Sequence, residues 1–231
     1  MKPTRDTKSG VYRVYNTEGK LILEGHYKNG EIHGENVAYY DNGLLKHNYS
    51  YRNGVRVGKN YLYFPSGKVK SEINYSEGET VQHIKNYYES GQLAEEKTTK
   101  NALIEGYLHE YHENGLLKLE AHYTEGKLHG LRKTFNLHGG LELAEKFLYN
   151  VKTDFETAYY PNGVLKYEQA YSNGRKHGRF QQFYENGKVE ILGEVQGNRR
   201  VKDWQYFSPE GRLYKIVTYQ NGEAISEKLI P

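Results

Sequence analysis

A glycine returns every 24 residues along this chain, at Gly19, Gly43, Gly67, Gly91, Gly115, Gly139, Gly163, Gly187 and Gly211. The residue four before each is aromatic: Tyr15, Tyr39, Tyr63, Tyr87, Tyr111, Phe135, Tyr159, Phe183 and Phe207. The residue two after each is Leu or Val: Leu21, Leu45, Val69, Leu93, Leu117, Leu141, Leu165, Val189 and Leu213. A fixed period without insertion or deletion marks a repeat architecture of about nine units.

The residues around these glycines give the turn. Pro65, Pro161 and Pro209 stand two before the glycine, where a type I turn wants φ near −65°. The residue between varies among Asn, Ser, Glu and His, so the mirror-image turn with φ > 0 there is excluded. Glycine then supplies the left-handed residue of a three-residue hairpin with a bulge. That geometry pairs each invariant aromatic with the invariant Leu or Val across the hairpin.

A second turn follows eleven residues later, as in Lys28-Asn29-Gly30, Arg52-Asn53-Gly54, Ser76-Glu77-Gly78, Thr124-Glu125-Gly126, Ser172-Asn173-Gly174 and Gln220-Asn221-Gly222. Read as three residues again, it leaves strands of about nine residues, with about eighteen turns joining nineteen strands. A third glycine recurs four further on at Gly34, Gly58, Gly106, Gly130 and Gly178, and is replaced by Gln82, Asp154 and Lys202. The expectation is an all-β fold: an elongated, twisted antiparallel meander of β-hairpin repeats, single-layered or coiled, because open sheets beyond about ten strands curl. At about 4.8 Å per strand it would extend roughly 90 Å. Residues 1–9 read as an N-terminal tail and 10–231 as one repeat domain.

Composition agrees with a thin sheet. The hydrophobic fraction is 36%, with 24 Tyr and a single Trp, so Tyr is expected to supply much of the buried area. A net charge of +3 argues against a nucleic-acid binder, which carries a basic excess on one face. No Cys is present, which removes disulfides, thiolate metal sites and Cys nucleophiles. No apolar run follows the polar start MKPTRDTKSG, which predicts no signal peptide and a cytoplasmic protein, or a periplasmic or exported one if a signal has been removed.

The runs Tyr27-Lys-Asn-Gly-Glu-Ile-His-Gly34, Tyr123-Thr-Glu-Gly-Lys-Leu-His-Gly130 and Tyr171-Ser-Asn-Gly-Arg-Lys-His-Gly178 resemble the MORN variant repeat. More narrowly, the chain is similar to the bacterial YwqK-family antitoxin-like proteins. The resemblance covers about residues 10–230. It implies a β-hairpin solenoid that binds other macromolecules, often as the immunity partner of a toxin.

No chemistry stands out against that reading. His33, His129 and His177 recur in frame, too far apart along the sheet to share one metal. Glu24, Glu72, Glu96, Glu120 and Glu168 also recur in frame, as a solvated row. No G-x-S-x-G, P-loop or H-E-x-x-H is present. The expectation is therefore a protein without enzymatic activity, metal or cofactor, whose partner is a cognate toxin. The alternatives are a MORN-type scaffold or membrane-surface adaptor, and a glycan- or choline-binding module. A basic cluster no larger than residues 199–202 disfavours the membrane, and a single Trp disfavours choline cages. Exposed terminal strands would also allow edge-to-edge homodimers. Candidate partner-binding residues are Tyr40, Phe64, Tyr88, Tyr160 and Tyr184, beside the invariant aromatics, with Arg199, Arg200 and Trp204 as an exposed Tyr/Trp/Arg patch.

Overall fold

The computed structural model describes residues 9–76 and 80–231. The expected tail, apart from Ser9, and the Glu77-Gly78 turn lie outside the described residues. Every described strand pairing is antiparallel, and no helix occurs among the described residues. The chain forms two compact units, divided after Gly115.

The N-terminal unit holds β1 (Gly10–Tyr15), β2 (Leu21–Lys28), β3 (Glu31–Tyr39), β4 (Leu45–Arg52), β5 (Val55–Arg56), β6 (Gly58–Tyr63), β7 (Val69–Tyr75), β8 (Val81–Tyr87), β9 (Leu93–Lys100) and β10 (Leu103–Tyr111). Each strand pairs with the next, and β5 and β6 are two pieces of one strand, since β4 pairs with both. The C-terminal unit is a meander in chain order of β11 (Leu117–Thr124), β12 (Lys127–Phe135), β13 (Leu141–Leu148), β14 (Val151–Tyr159), β15 (Leu165–Ser172), β16 (Arg175–Phe183), β17 (Val189–Gln196), β18 (Arg199–Phe207), β19 (Leu213–Gln220) and β20 (Glu223–Leu229).

The first turn forms as its residues require. Gly43 N–H bonds to Tyr40 C=O at 2.8 Å, Tyr40 N–H bonds to Leu44 C=O at 2.8 Å, and Gly43 has φ 82°. Tyr39 consequently pairs with Leu45, and the register shifts by a bulge just beyond. The pairs Tyr63 with Val69, Tyr87 with Leu93, Phe135 with Leu141, Tyr159 with Leu165, Phe183 with Val189 and Phe207 with Leu213 repeat it.

The second turn differs from the three-residue expectation. Asn29 and Gly30 both have positive φ (53° and 80°), and Lys28 pairs directly with Glu31. This is a two-residue type I′ turn, the one whose twist matches the flanking strands, and Asn-Gly is its preferred sequence. Asn101-Ala102, Glu125-Gly126, Tyr149-Asn150 and Gly197-Asn198 adopt the same left-handed pair.

The third glycine sits in a second bulge. Tyr27 pairs with Ile32 and Gly25 with Asn36, so residues 33–35 oppose His26 alone, with Gly34 at φ 90°. Asp154 (φ 61°) and Lys202 (φ 63°) keep the bulge without glycine. Gln82 does not. There β7 and β8 hold one register from Ser71–Asn86 to Tyr75–Gln82.

The interior is one row of side chains across the middle of each unit. It runs through Gly25–Asn36–Tyr49 and Asn60–Ile73–Ile84–Lys97 in the first unit, and through Ala121–Arg132–Glu145 and Gln169–Phe180–Gly193 in the second. Buried members include Asn60, Ala121, Glu145 and Gln169, so small and polar groups share the centre with Trp204 and Val217. Among the described residues only Tyr75 is a buried tyrosine. Most other tyrosines are half-buried, so the area they bury lies in a cover over this row rather than at its centre. In a single layer, long side chains fold over shorter ones because no second layer meets them.

Candidate binding surface

The aromatic residues beside the invariant stripe are stitches between hairpins. The hydroxyls of Tyr40, Tyr88, Tyr160 and Tyr184 donate to the carbonyls of Tyr63, Tyr111, Phe183 and Phe207, at 2.7–2.8 Å and 23 residues onward each time. Asn42, Asn162 and Asn186 donate alongside them to the carbonyls of Pro65, Glu185 and Pro209. Where the frame carries Asn16, Asn136 or Ser208 instead, the side chain accepts from its own turn. Phe64 has no hydroxyl, and Lys70 Nζ lies 5.8 Å over its ring. These aromatics serve the row of first turns, whereas Arg199 and Arg200 open β18 at its other end. The structure does not bring the two groups together.

Trp204 is 2% exposed, which corrects its expected place on an exposed patch. Its indole stacks on Phe180 at 5.3 Å, meets Tyr219 edge-on at 5.9 Å, and donates from Nε1 to Glu194 C=O at 3.2 Å. The Arg200 guanidinium covers it from outside, 4.2 Å from the Trp204 ring centre and 5.4 Å from that of Tyr219. Arg200 Nη1 donates to the Tyr219 hydroxyl at 3.1 Å. Burial pushes the Tyr219 phenol up, but the bonds with Arg200 and Tyr206 and the nearby positive charge outweigh it, and the net direction is down.

Two other cations occupy the same frame position, two residues after the second turn. Arg56 lies 4.2 Å over Tyr49 and donates to the hydroxyls of Tyr51 (3.2 Å) and Tyr75 (3.1 Å). Burial disfavours its charge, yet those two hydroxyls raise its pKa overall. His47 stacks on the same Tyr49 ring at 4.1 Å, and burial, then Arg56 and Lys46, push the imidazole below its ordinary value. Lys152 joins Glu145 and Glu156 at 2.5 Å each, with Arg132 completing Glu145 at 2.6 Å and Tyr167 donating to Glu156 at 2.8 Å. Burial opposes the Glu156 charge, but Lys152 and Tyr167 hold its carboxyl below the usual range. These charges satisfy one another, and their chemistry is structural. The 24-residue frame carried the signal for this position, since Arg56, Lys152 and Arg200 are whole periods apart.

What faces outward varies. One frame position on the returning strands carries Glu35, Lys59, His83 and Tyr107 in the first unit, and Leu131, Phe155, Arg179 and Asp203 in the second. All eight are exposed. The turn between β13 and β14 is apolar as well, with Leu148, Tyr149 and Val151 exposed. Among the described residues, no group of three or more His, Cys, Asp or Glu is placed to hold a metal ion.

The family described as MORN repeat variant matches residues 8–29, 56–77, 83–101, 156–173 and 176–196, so the chain carries MORN-variant repeats. No curated protein matches it. Among solved structures, a chain in the crystal structure of TcdB2-TccC3-Cdc42 is 16% identical, with 92% of this chain and 14% of that chain covered and a TM-score of 0.26. A chain in the crystal structure of TcdB2-TccC3-TEV is 15% identical, with 93% and 14% covered and a TM-score of 0.26. This chain thus spans 14% of the length of either.

Proposed function

We propose that this chain of MORN-variant repeats is a non-enzymatic binding protein that neutralises a cognate bacterial toxin by covering it, acting in the cytoplasm of the cell it protects. The observation that carries this reading is the division of labour within each repeat. Turn glycines, tyrosine stitches and caged cations hold the framework, and one exposed frame position takes eight different side chains from Glu35 to Asp203. A rigid framework reduces the ordering cost of association, and a varied surface supplies selectivity. Masking a toxin asks only for a wide, fixed contact area across its active site or substrate route.

Co-expression with the toxins encoded beside its gene is the test. Restored growth, together with co-purification of the toxin, is expected. Failure to rescue against each of those toxins, with no complex on size exclusion, overturns the reading. Sedimentation with anionic liposomes under the same conditions would place the protein with the membrane-surface adaptors instead.

A further inference from the structure

We propose that the stacked second turns of the C-terminal unit are a docking surface for an acidic protein segment bearing an aromatic or apolar side chain. The surface stands whether or not that partner is a toxin.

These turns are fixed neighbours. Asn150 N–H bonds to Leu128 C=O at 2.9 Å, Gly174 N–H to Lys152 C=O at 2.9 Å, and Asn198 N–H to Lys176 C=O at 3.0 Å. Lys176 N–H returns a bond to Asn198 Oδ1 at 2.9 Å. Successive tips therefore follow one another at two strand spacings, about 10 Å.

The first of the three tips carries Tyr149 at φ 51°, with Val151 beside it. Tyr149 is the one aromatic residue with a left-handed backbone among the described residues. Sister turns place Asn, Glu or Gly there, which tolerate the conformation, whereas a bulky side chain is strained. Its ring is nonetheless half exposed, and its described neighbour is the His129 ring at 4.6 Å. A strained residue held outward is poised for contact.

The next two tips carry Arg175, Lys176 and Arg199, all exposed. No carboxylate lies within 4.0 Å of any of them among the described residues: Glu194 pairs with Lys202 at 2.6 Å, Asp154 with Lys146 at 2.7 Å, and Lys176 reaches Glu156 only through its longer-range field. Tyr and Arg are the residue types that anchor interfaces, and unpaired cations select an acidic occupant. The arrangement is a file along the tips, which suits an extended chain better than a plane of lipid headgroups. An extended segment rises about 3.3 Å per residue, so about three residues cover one step from tip to tip. An aromatic residue on Tyr149 and Val151 with carboxylates three and six positions away would reach the second and third tips.

The probe is a fluorescein-labelled peptide with one Phe followed by Glu three and six residues later, titrated into the full chain and read by anisotropy. Saturable binding is expected, weakening as salt rises from about 50 to about 500 mM. The Arg175→Ala, Arg199→Ala double variant should lose roughly tenfold or more in affinity. Tyr149→Asn should lose a similar factor while its melting temperature holds or rises, since Asn relieves the turn. A Lys46→Ala, Lys70→Ala variant, altered at the other row of turns, should bind as the parent does. Absence of binding, or equal affinity in the Arg and Tyr variants, overturns the proposal. So does binding to phosphatidylserine vesicles with none to the peptide, which would assign the patch to lipid.

Discussion

Gly193 and Trp204 are fitted to each other. A β-carbon on Gly193 would stand 2.3 Å from Trp204 Cδ2 and 2.4 Å from Cε2, well inside any permitted contact. The indole lies flat over the glycine, held from beyond by Phe180 and by the bond from its Nε1 to Glu194. Gly193→Ala must displace the indole and should cost about 1–3 kcal/mol. Trp204 is the sole tryptophan, so its fluorescence reports the displacement. The expected result is a red-shifted emission with a lower melting temperature, and an unchanged spectrum would count against the packing.

The tyrosine stitches predict a matched pair of effects. Tyr184→Phe removes the donor to Phe207 C=O and should destabilise by about 0.5–1.5 kcal/mol in urea melts. Phe64→Tyr puts a hydroxyl where the frame places the carbonyl of Tyr87, 23 residues on, and should stabilise by up to about 1 kcal/mol. A loss in both variants would mean that the hydroxyl's site at Phe64 is not equivalent.

Left-handed backbone at the second bulge separates glycine from other residues. Lys202→Gly relieves a strained conformation and gives up only an exposed ion pair to Glu194, so stability should rise by about 0.5–1 kcal/mol. Gly178→Ala should fall instead, since its β-carbon would meet that of Ala170 at 3.2 Å and φ is 102°. Thermal melts of the two variants should move in opposite directions.

One carboxyl and one phenol set opposite pH limits. The Glu156 carboxyl is held below its unfolded value, so the stability it contributes is full above that value, about 4.3, and is lost as pH falls through the folded one. Glu156→Gln should flatten the acid limb of the stability profile. Burial, then the bond to Glu96, pushes the Tyr111 phenol up to about 12. Its contribution is complete below the ordinary tyrosine value, about 10, and fades as pH rises from there through about 12. The difference in phenolate absorbance between parent and Tyr111→Phe should locate that last step near pH 12. A difference appearing at the ordinary tyrosine value would refute it.

Where reasoning from residues succeeded, the constraint was local. Proline two before three of the first-turn glycines, and middle residues that resist positive φ, were enough to give the turn and the Tyr39–Leu45 register. The second turn was legible too, since Asn-Gly is the signature of a type I′ hairpin, but imposing the first turn's length on it hid the two-residue form. The second bulge was visible as a glycine without a purpose. Its purpose emerges only from the register of the paired strands, as the contrast between the bulge at Gly34 and the unbroken register at Gln82 makes plain.

The periodic order of turns, the all-β meander and the pairing of aromatic with aliphatic residues were written in the chain itself, because each depends on backbone preferences within a dozen residues. The tertiary structure alone decided which side chains fill the middle of a single layer. Tyr184 reaches a carbonyl 23 residues away, Trp204 sinks onto Gly193, and Arg56 and Arg200 close over aromatic rings. Residues that look like surface anchors in a sequence are buried or engaged when neighbouring repeats stack, since with no opposing layer each side chain must find its cover in the repeat beside it.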